Sequence, residues 1–239
     1  MKFLKKKNQK KKIIIALDFS NEKKAINFIN YLNPSKYILK VGQEIFSLYG
    51  VNFLKKIIKM NFKVFLDLKF HDIPTTVFKA IKSFQNIKNL WMISVHASGG
   101  IEMLKYAKKA ISYFNHKPPL LVSATILSSL SNVNLKNMGF FLSVPEYIIK
   151  LSKISKEAGL DGVVCPGQYS NLVKLNVCKN LKIISPGIRL NKSSKNDQKN
   201  FILLKDIYKY SIDYIVLGRV INSLKNPIHS LRNIEKFIF

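Results

Sequence analysis

The sequence predicts a (β/α)8 barrel, and three observations carry that expectation. Short apolar, β-branched or aromatic runs recur along the 239 residues. Segments of helical periodicity fill the gaps between them. Ionisable or small polar residues gather at the C-terminal ends of the runs, where such barrels place their active sites. Eight strand–helix units fit a chain of this length. A doubly wound sheet is the runner-up, but it usually holds about five or six strands.

The runs are "KIIIALD" (12–18), "YILKVG" (37–42), "FKVFLDLK" (62–69), "LWMISVHA" (90–97), "LLVSATIL" (120–127), "DGVVCPG" (161–167), "LKIISPGI" (181–188) and "DYIVLGR" (213–219). Most are almost continuously apolar, as parallel strands covered on both faces are. Ala25, Phe28, Ile29 and Leu32 fall at helical spacing, as do Val77, Ala80, Ile81 and Phe84. Met103, Ala107, Ala110, Ile111 and Phe114 make another apolar face. Pro145 suits the first turn of a helix through Ile148, Leu151 and Ala158, and a last helix follows Pro227. No linker interrupts the pattern, and "NKSSKNDQKN" (191–200) is the one low-complexity loop. The organisation expected is a basic tail at 1–12 and a single barrel at 13–239.

Hydrophobic residues make up 47% of the chain, which indicates a globular protein rather than a disordered one. No apolar stretch approaches the ~20 residues of a membrane helix. The start is basic, but its apolar part ends at Leu17, Asp18 follows at once, and no small-residue cleavage site appears. A cytoplasmic protein is expected. Cys165 and Cys178 have no metal-ligand spacing and read as reduced thiols.

The net charge of +27 has two readings. One is a polyanion partner such as nucleic acid. The other is compositional bias, with lysines as solvated surface. Lysine, isoleucine and asparagine dominate together, and the lysines are spread along helical segments without forming a stripe, which favours the second. Nucleic-acid binding would also need exposed aromatic platforms, whereas the aromatics here sit mostly at apolar-periodic positions.

The strand ends are Asp18, Lys40, Asp67 with Lys69, His96, Ser128, Arg189, and Gly218 with Arg219. Asp67 and Lys69 lie two apart on a strand and so share a face. Asp72 follows just past the strand, near Pro74, which cannot continue a ladder. A plain salt bridge is the bland reading. A metal site is disfavoured, because an ammonium between carboxylates repels a cation and the histidines lack ligand spacing. "SPGIR" (185–189) and "LGR" (217–219) end the seventh and eighth runs, where such barrels often bind phosphate through glycine backbone and arginine. "VHASGG" (95–100) reads as a tight turn more than an anion site. Thr125, Ser128 and Ser129 put hydroxyls in the fifth loop, to read a polar ring or to cap the chain. With no Ser-His-Asp pattern, Walker loop or dinucleotide fingerprint, the residues suggest a cofactor-free enzyme on a small phosphorylated molecule.

"DLKFHDIPTT" resembles the signature of the orotidine 5'-phosphate decarboxylases, and "ALD", "LKVG", "VHASGG", "DGVVC", "PGIR", "DQ" and "IVLGR" follow in that family's order and spacing. The resemblance runs from about Ile13 to the C-terminus. It implies a (β/α)8 barrel, a homodimer, no cofactor and no metal, converting orotidine 5'-monophosphate to uridine 5'-monophosphate and carbon dioxide. Lys69 resembles the catalytic lysine and proton donor. Asp67 would lie near the leaving carboxylate, and Lys40 would complete the charged array. Asp72 would reach the neighbouring subunit's site. Asp18 and Thr76 resemble ribose contacts, and Ser128 the residue touching the pyrimidine. Gln198 and Arg219 resemble phosphate contacts, with Arg189 and Gly218 lining the same pocket. Thr75 stands where many bacterial members carry asparagine, and Ser128 where many carry threonine. The rival within the superfamily is a magnesium-dependent 3-keto-L-gulonate 6-phosphate decarboxylase, which places an acid near the position of Lys40. Lys40, "HDIP" and Gln198 favour the orotidylate enzyme.

Overall fold

The structure is a computed structural model, and it describes residues 11–190, 200–218, 221 and 227–238. Gln198, Arg219 and residues 1–10 of the basic tail lie outside the described residues.

Eight parallel strands close into a barrel. They are β1 (Lys12–Ala16), β2 (Tyr37–Val41), β3 (Lys63–Phe70), β4 (Leu90–His96), β5 (Leu120–Ala124), β6 (Gly162–Val164), β7 (Lys182–Ser185) and β10 (Tyr214–Leu217). Each pairs with its neighbours in chain order, and β10 closes on β1 with Ile14 opposite Val216. The barrel expected from the sequence is therefore present, and the doubly wound alternative is not. Two further strands, β8 (Ile188–Arg189) and β9 (Ile202–Leu203), form a separate ribbon. The seventh run was expected to continue as strand to residue 188; it stops at Ser185 instead. Pro186 has no N–H for the ladder, and Gly187 takes φ +77, so the chain turns away before Ile188.

Among the described residues, the α-helices outside the strands include α1 (Glu22–Ile29), α2 (Gln43–Lys59), α3 (Pro74–Lys82), α4 (Gly100–Ile111), α5 (Asn132–Asn137), α6 (Val144–Glu157), α7 (Ser170–Asn176) and α8 (Pro227–Ile238). The expected apolar faces are the buried ones: Ala25, Phe28 and Ile29 on α1, Val77 and Ile81 on α3, Ile148 and Leu151 on α6. Pro145 lies in the first turn of α6, as expected, beside a Ser143–Glu146 capping box. No helix among the described residues is long and apolar enough to cross a membrane. Cys165 and Cys178 are free thiols.

Strand alternation sorts the core into two shells. Outward residues such as Ile13, Ile15, Leu39, Val64 and Ile93 meet the helices. Inward residues Ile14, Ala16, Ile38, Phe65, Met92, Val122, Val164, Ile184, Tyr214 and Val216 fill the barrel. Each fully buried aliphatic or phenyl side chain contributes about 1.5–3 kcal/mol. Trp91 meets Tyr214 edge-on at 5.2 Å, toward the N-terminal end of the barrel. At this end too, Lys11 buries its stem and donates to the Tyr210 and Ile212 carbonyls at 3.1 and 3.0 Å. The last two residues of the basic stretch thus lie in or against the barrel.

Candidate active site

The inward register predicts what stands at the other end. Two residues beyond the inward Ala16, Ile38, Phe65, Met92 and Val216 come Asp18, Lys40, Asp67, Ser94 and Gly218. An apolar plug therefore gives way to a polar layer at the C-terminal mouth of the strands.

Four of its charges form a chain of alternating sign. Lys40 Nζ lies 3.6 Å from Asp18 Oδ1 and 3.5 Å from Asp67 Oδ2. Lys69 Nζ donates to Asp67 Oδ1 at 3.0 Å. Asp67 is only 7% exposed. Burial pushes its carboxyl up, but the Lys40 and Lys69 ammonium groups and the bonds from Lys69 and Ser94 outweigh this and hold it below the usual range. Gly218 sits where a Cβ would come within 3.0 Å of Asp18 Oδ2, so a larger residue there would crowd that carboxylate.

Asp72 is not in this chain. It is exposed, and its Oδ1 accepts from the Ile73 N–H at 2.7 Å. Ile73 beside it is 64% exposed, and Thr76 is also exposed. Most of the "HDIPTT" turn is therefore open to solvent. Ser128 is half-buried in the loop after β5, and its carbonyl accepts from the Asn200 N–H and Nδ2 at 3.2 Å each. Thr125 is fully buried and donates to the Val164 carbonyl at 3.1 Å, which assigns its hydroxyl to holding the chain. Arg189 is buried on β8 with its guanidinium carbon 4.0 Å from the centre of the Phe201 ring.

The pattern of the orotidine 5'-phosphate decarboxylase / HUMPS family matches residues 11–234. The chain belongs to that family. A protein of Buchnera aphidicola subsp. Acyrthosiphon pisum (strain Tuc7), named orotidine 5'-phosphate decarboxylase, is 51% identical over 225 residues, covering 94% of each chain. One of the same name from Pseudoalteromonas translucida (strain TAC 125) is 43% identical, covering 95% of this chain and 97% of that one. The crystal structure of orotidine 5'-phosphate decarboxylase from Lactobacillus acidophilus superimposes with a TM-score of 0.83 at 30% identity, covering 95% of this chain and 99% of that one.

Three groups of this orotidine 5'-phosphate decarboxylase family member went unassigned in the sequence reading. Ser94 bonds both the Asp67 carboxylate and the Lys69 backbone, each at 2.9 Å. The signal for it was the alternation Met92, Ser94, His96, which puts a buried hydroxyl on the face of the array. His96 ends the same face. Burial, then His71 and Lys69, lower its imidazole from 6.5 to about 4, so it is neutral at physiological pH. Its Nδ1 lies 2.6 Å from Ser98 Oγ, which in turn lies 3.4 Å from His71 Nε2. Asn200 ties three loops, bonding Ser128 and Leu130 after β5 and Gln168 after β6. Nothing in a polar loop sequence distinguishes that asparagine from its neighbours.

Proposed function

We propose that this protein decarboxylates orotidine 5'-monophosphate to uridine 5'-monophosphate in pyrimidine biosynthesis, without metal or cofactor, with Lys69 as proton donor. Family membership supports the reaction class, and the observation that carries the mechanism is the Asp18–Lys40–Asp67–Lys69 chain at the barrel mouth. The bond from C6 to the carboxylate breaks, carbon dioxide leaves, and the electron pair stays on C6. No neighbouring group delocalises that pair well. The preorganised Lys69 ammonium stabilises it and then gives its proton to C6. Asp67 is fixed between Lys40 and Lys69, so it faces the departing carboxylate without swinging away.

One charge pair at ~4 Å is worth roughly 4 kcal/mol at an effective dielectric near 20. The barrier reduction for such a reaction approaches ~20 kcal/mol. Binding of ribose and phosphate must therefore be converted into transition-state stabilisation. We assign the ribose to Asp18 and Thr76, the pyrimidine to Ser128, and the phosphate to Gln198, Arg189, Gly218 and Arg219. Asp72 and Thr76 are exposed, which supports a homodimer in which each site takes Asp72 from its partner. The reading places the enzyme in the cytoplasm.

The donor set favours this reaction over a magnesium-dependent sugar-phosphate decarboxylation. Lys40 lies between Asp18 and Asp67, where a divalent cation would need to sit. The test is turnover of orotidine 5'-monophosphate in EDTA. Full activity is expected; activity that appears only with added magnesium, or only on the sugar phosphate, overturns the reading.

A further inference from the structure

Ser94 joins the two ends of a distortion in the barrel. On β3 the residues Asp67, Leu68 and Lys69 lie between the ladder positions Leu66 and Phe70. On β4 only Ser94 lies between their partners Ile93 and Val95. β3 therefore carries a bulge, and Lys69 sits in it at φ +52, in the left-handed region that a side-chain-bearing residue rarely adopts. The bulge takes the Lys69 N–H out of the ladder, and Ser94 Oγ accepts it at 2.9 Å in place of a backbone carbonyl. The same hydroxyl donates to Asp67 Oδ1 at 2.9 Å, and Lys69 Nζ donates to that oxygen at 3.0 Å. A closed ring results, from the Lys69 backbone through Ser94 and Asp67 to the Lys69 ammonium. One hydroxyl can accept and donate at once. Ser94 is fully buried, so bulk water does not replace it.

We infer that Ser94 is a positioning residue for the decarboxylation, its hydroxyl holding the Lys69 backbone and the Asp67 carboxylate in one fixed relation to the reacting carbon. The inference rests on the proposed function. An ammonium displaced by about 1 Å from its working place costs on the order of 100-fold in rate. The hydrogen bonds of the Ser94 hydroxyl go to Lys69 and Asp67, not to the residues assigned to ribose and phosphate.

The experiment compares Ser94→Ala, Ser94→Thr and Ser94→Val. Ser94→Ala should lower kcat by about 10- to 100-fold while affinity for uridine 5'-monophosphate, which lacks the reacting carboxylate, stays as in the unaltered protein. The acid limb of kcat/KM should move to higher pH, because the Asp67 carboxylate loses a donated hydrogen bond. Threonine keeps the hydroxyl, and valine has threonine's shape without it. Ser94→Thr should recover both rate and pH profile, and Ser94→Val should recover neither. The inference is overturned if Ser94→Ala keeps kcat within about twofold of the unaltered protein, less than the ~10-fold lower bound. It is also overturned if threonine and valine behave alike, or if the acid limb stays in place. If alanine and valine fail to fold while threonine folds, the hydroxyl serves stability and the inference falls. If the unaltered protein does not convert orotidine 5'-monophosphate, the functional reading fails by itself. The hold of Ser94 on Asp67 is then read from a 13C titration of that carboxyl, and a titration that does not move upward in Ser94→Ala overturns the inference.

Discussion

A lysine at φ +52, half-buried and bonded to an almost fully buried carboxylate, is an unfavourable local arrangement in three respects at once. Left-handed backbone costs a side-chain-bearing residue about 1–2 kcal/mol. Burial opposes both charges. The arrangement is maintained because each charge has an opposite neighbour, and in the mechanism proposed above it fixes an ammonium against a developing carbanion. Lys69→Ala should therefore reduce turnover of orotidine 5'-monophosphate by more than the ~10²–10³ typical for one preorganised donor. Its circular dichroism should be unchanged, since Asp67 keeps Lys40 and Ser94. Turnover above about a hundredth of the original sinks the proton-donor role. The same residues predict an acid-sensitive fold. Asp67's carboxyl is held below the usual range, so its contribution is present above about pH 4 and lost as pH falls through its folded value. His96 acts in a higher window. Its imidazole is lowered from 6.5 to about 4, so folding favours the neutral ring. That contribution is complete above 6.5 and is lost progressively as pH falls toward 4. His96→Gln should flatten the decline of the urea midpoint between pH 7 and pH 5; an unaltered decline overturns the assignment.

At the scale of elements, the loops after β5, β6 and β7 depend on one side chain. Asn200 donates to the carbonyls of Ser128 and Leu130 and accepts from Gln168 Nε2 at 3.1 Å. Its removal should cost about 1–3 kcal/mol for the polar groups left without partners. It should raise KM for the nucleotide more than it lowers kcat, because Ser128 is loosened and the Asp67–Lys69 array is not. A fall in kcat at constant KM argues against that role. Asn200 also shows where sequence reading stops. The eight strands were legible because alternation and apolar continuity are local, and Asp18, Lys40, Asp67 and Lys69 were legible because each ends such a run. A contact from residue 200 to residue 128 has no local signature. The end of β7 was misread for a related reason. "LKIISPGI" is apolar throughout, and only the backbone demands of Pro186 and Gly187 separate β7 from β8. Ser94 stood in a recognised strand, but its importance arises from a bulge on the neighbouring strand, which β4's own sequence does not encode.

At the scale of the molecule the net charge is +27, and among the described residues lysines lie on outer helix faces, as the exposed Lys55, Lys56, Lys59, Lys105 and Lys109 illustrate. Heparin or RNA binding should be weak and vanish by about 200 mM salt without loss of enzyme activity; retention at higher salt would point to a specific nucleic-acid partner. The second question at this scale is where Asp72 works. Asp67 faces into the barrel, whereas Asp72 is exposed on the turn before Pro74, its Oδ1 already accepting from the Ile73 N–H. If Asp72 completes the site of a partner subunit, two inactive variants should complement each other. Lys69→Ala and Asp72→Asn are mixed under conditions that exchange subunits. In a heterodimer one site then carries both defects, and the other takes Lys69 from one chain and Asp72 from its partner. Random pairing makes about half the dimers mixed, so about a quarter of all sites should recover. If Asp72 served its own chain, every site in a mixed dimer would still carry one defect and nothing would recover. Absence of recovery, with native mass measurements showing that heterodimers formed, rules out the shared site. Activity recovered in proportion to the heterodimer fraction assigns Asp72 to the neighbouring barrel, since no site within a single chain could regain both residues by mixing.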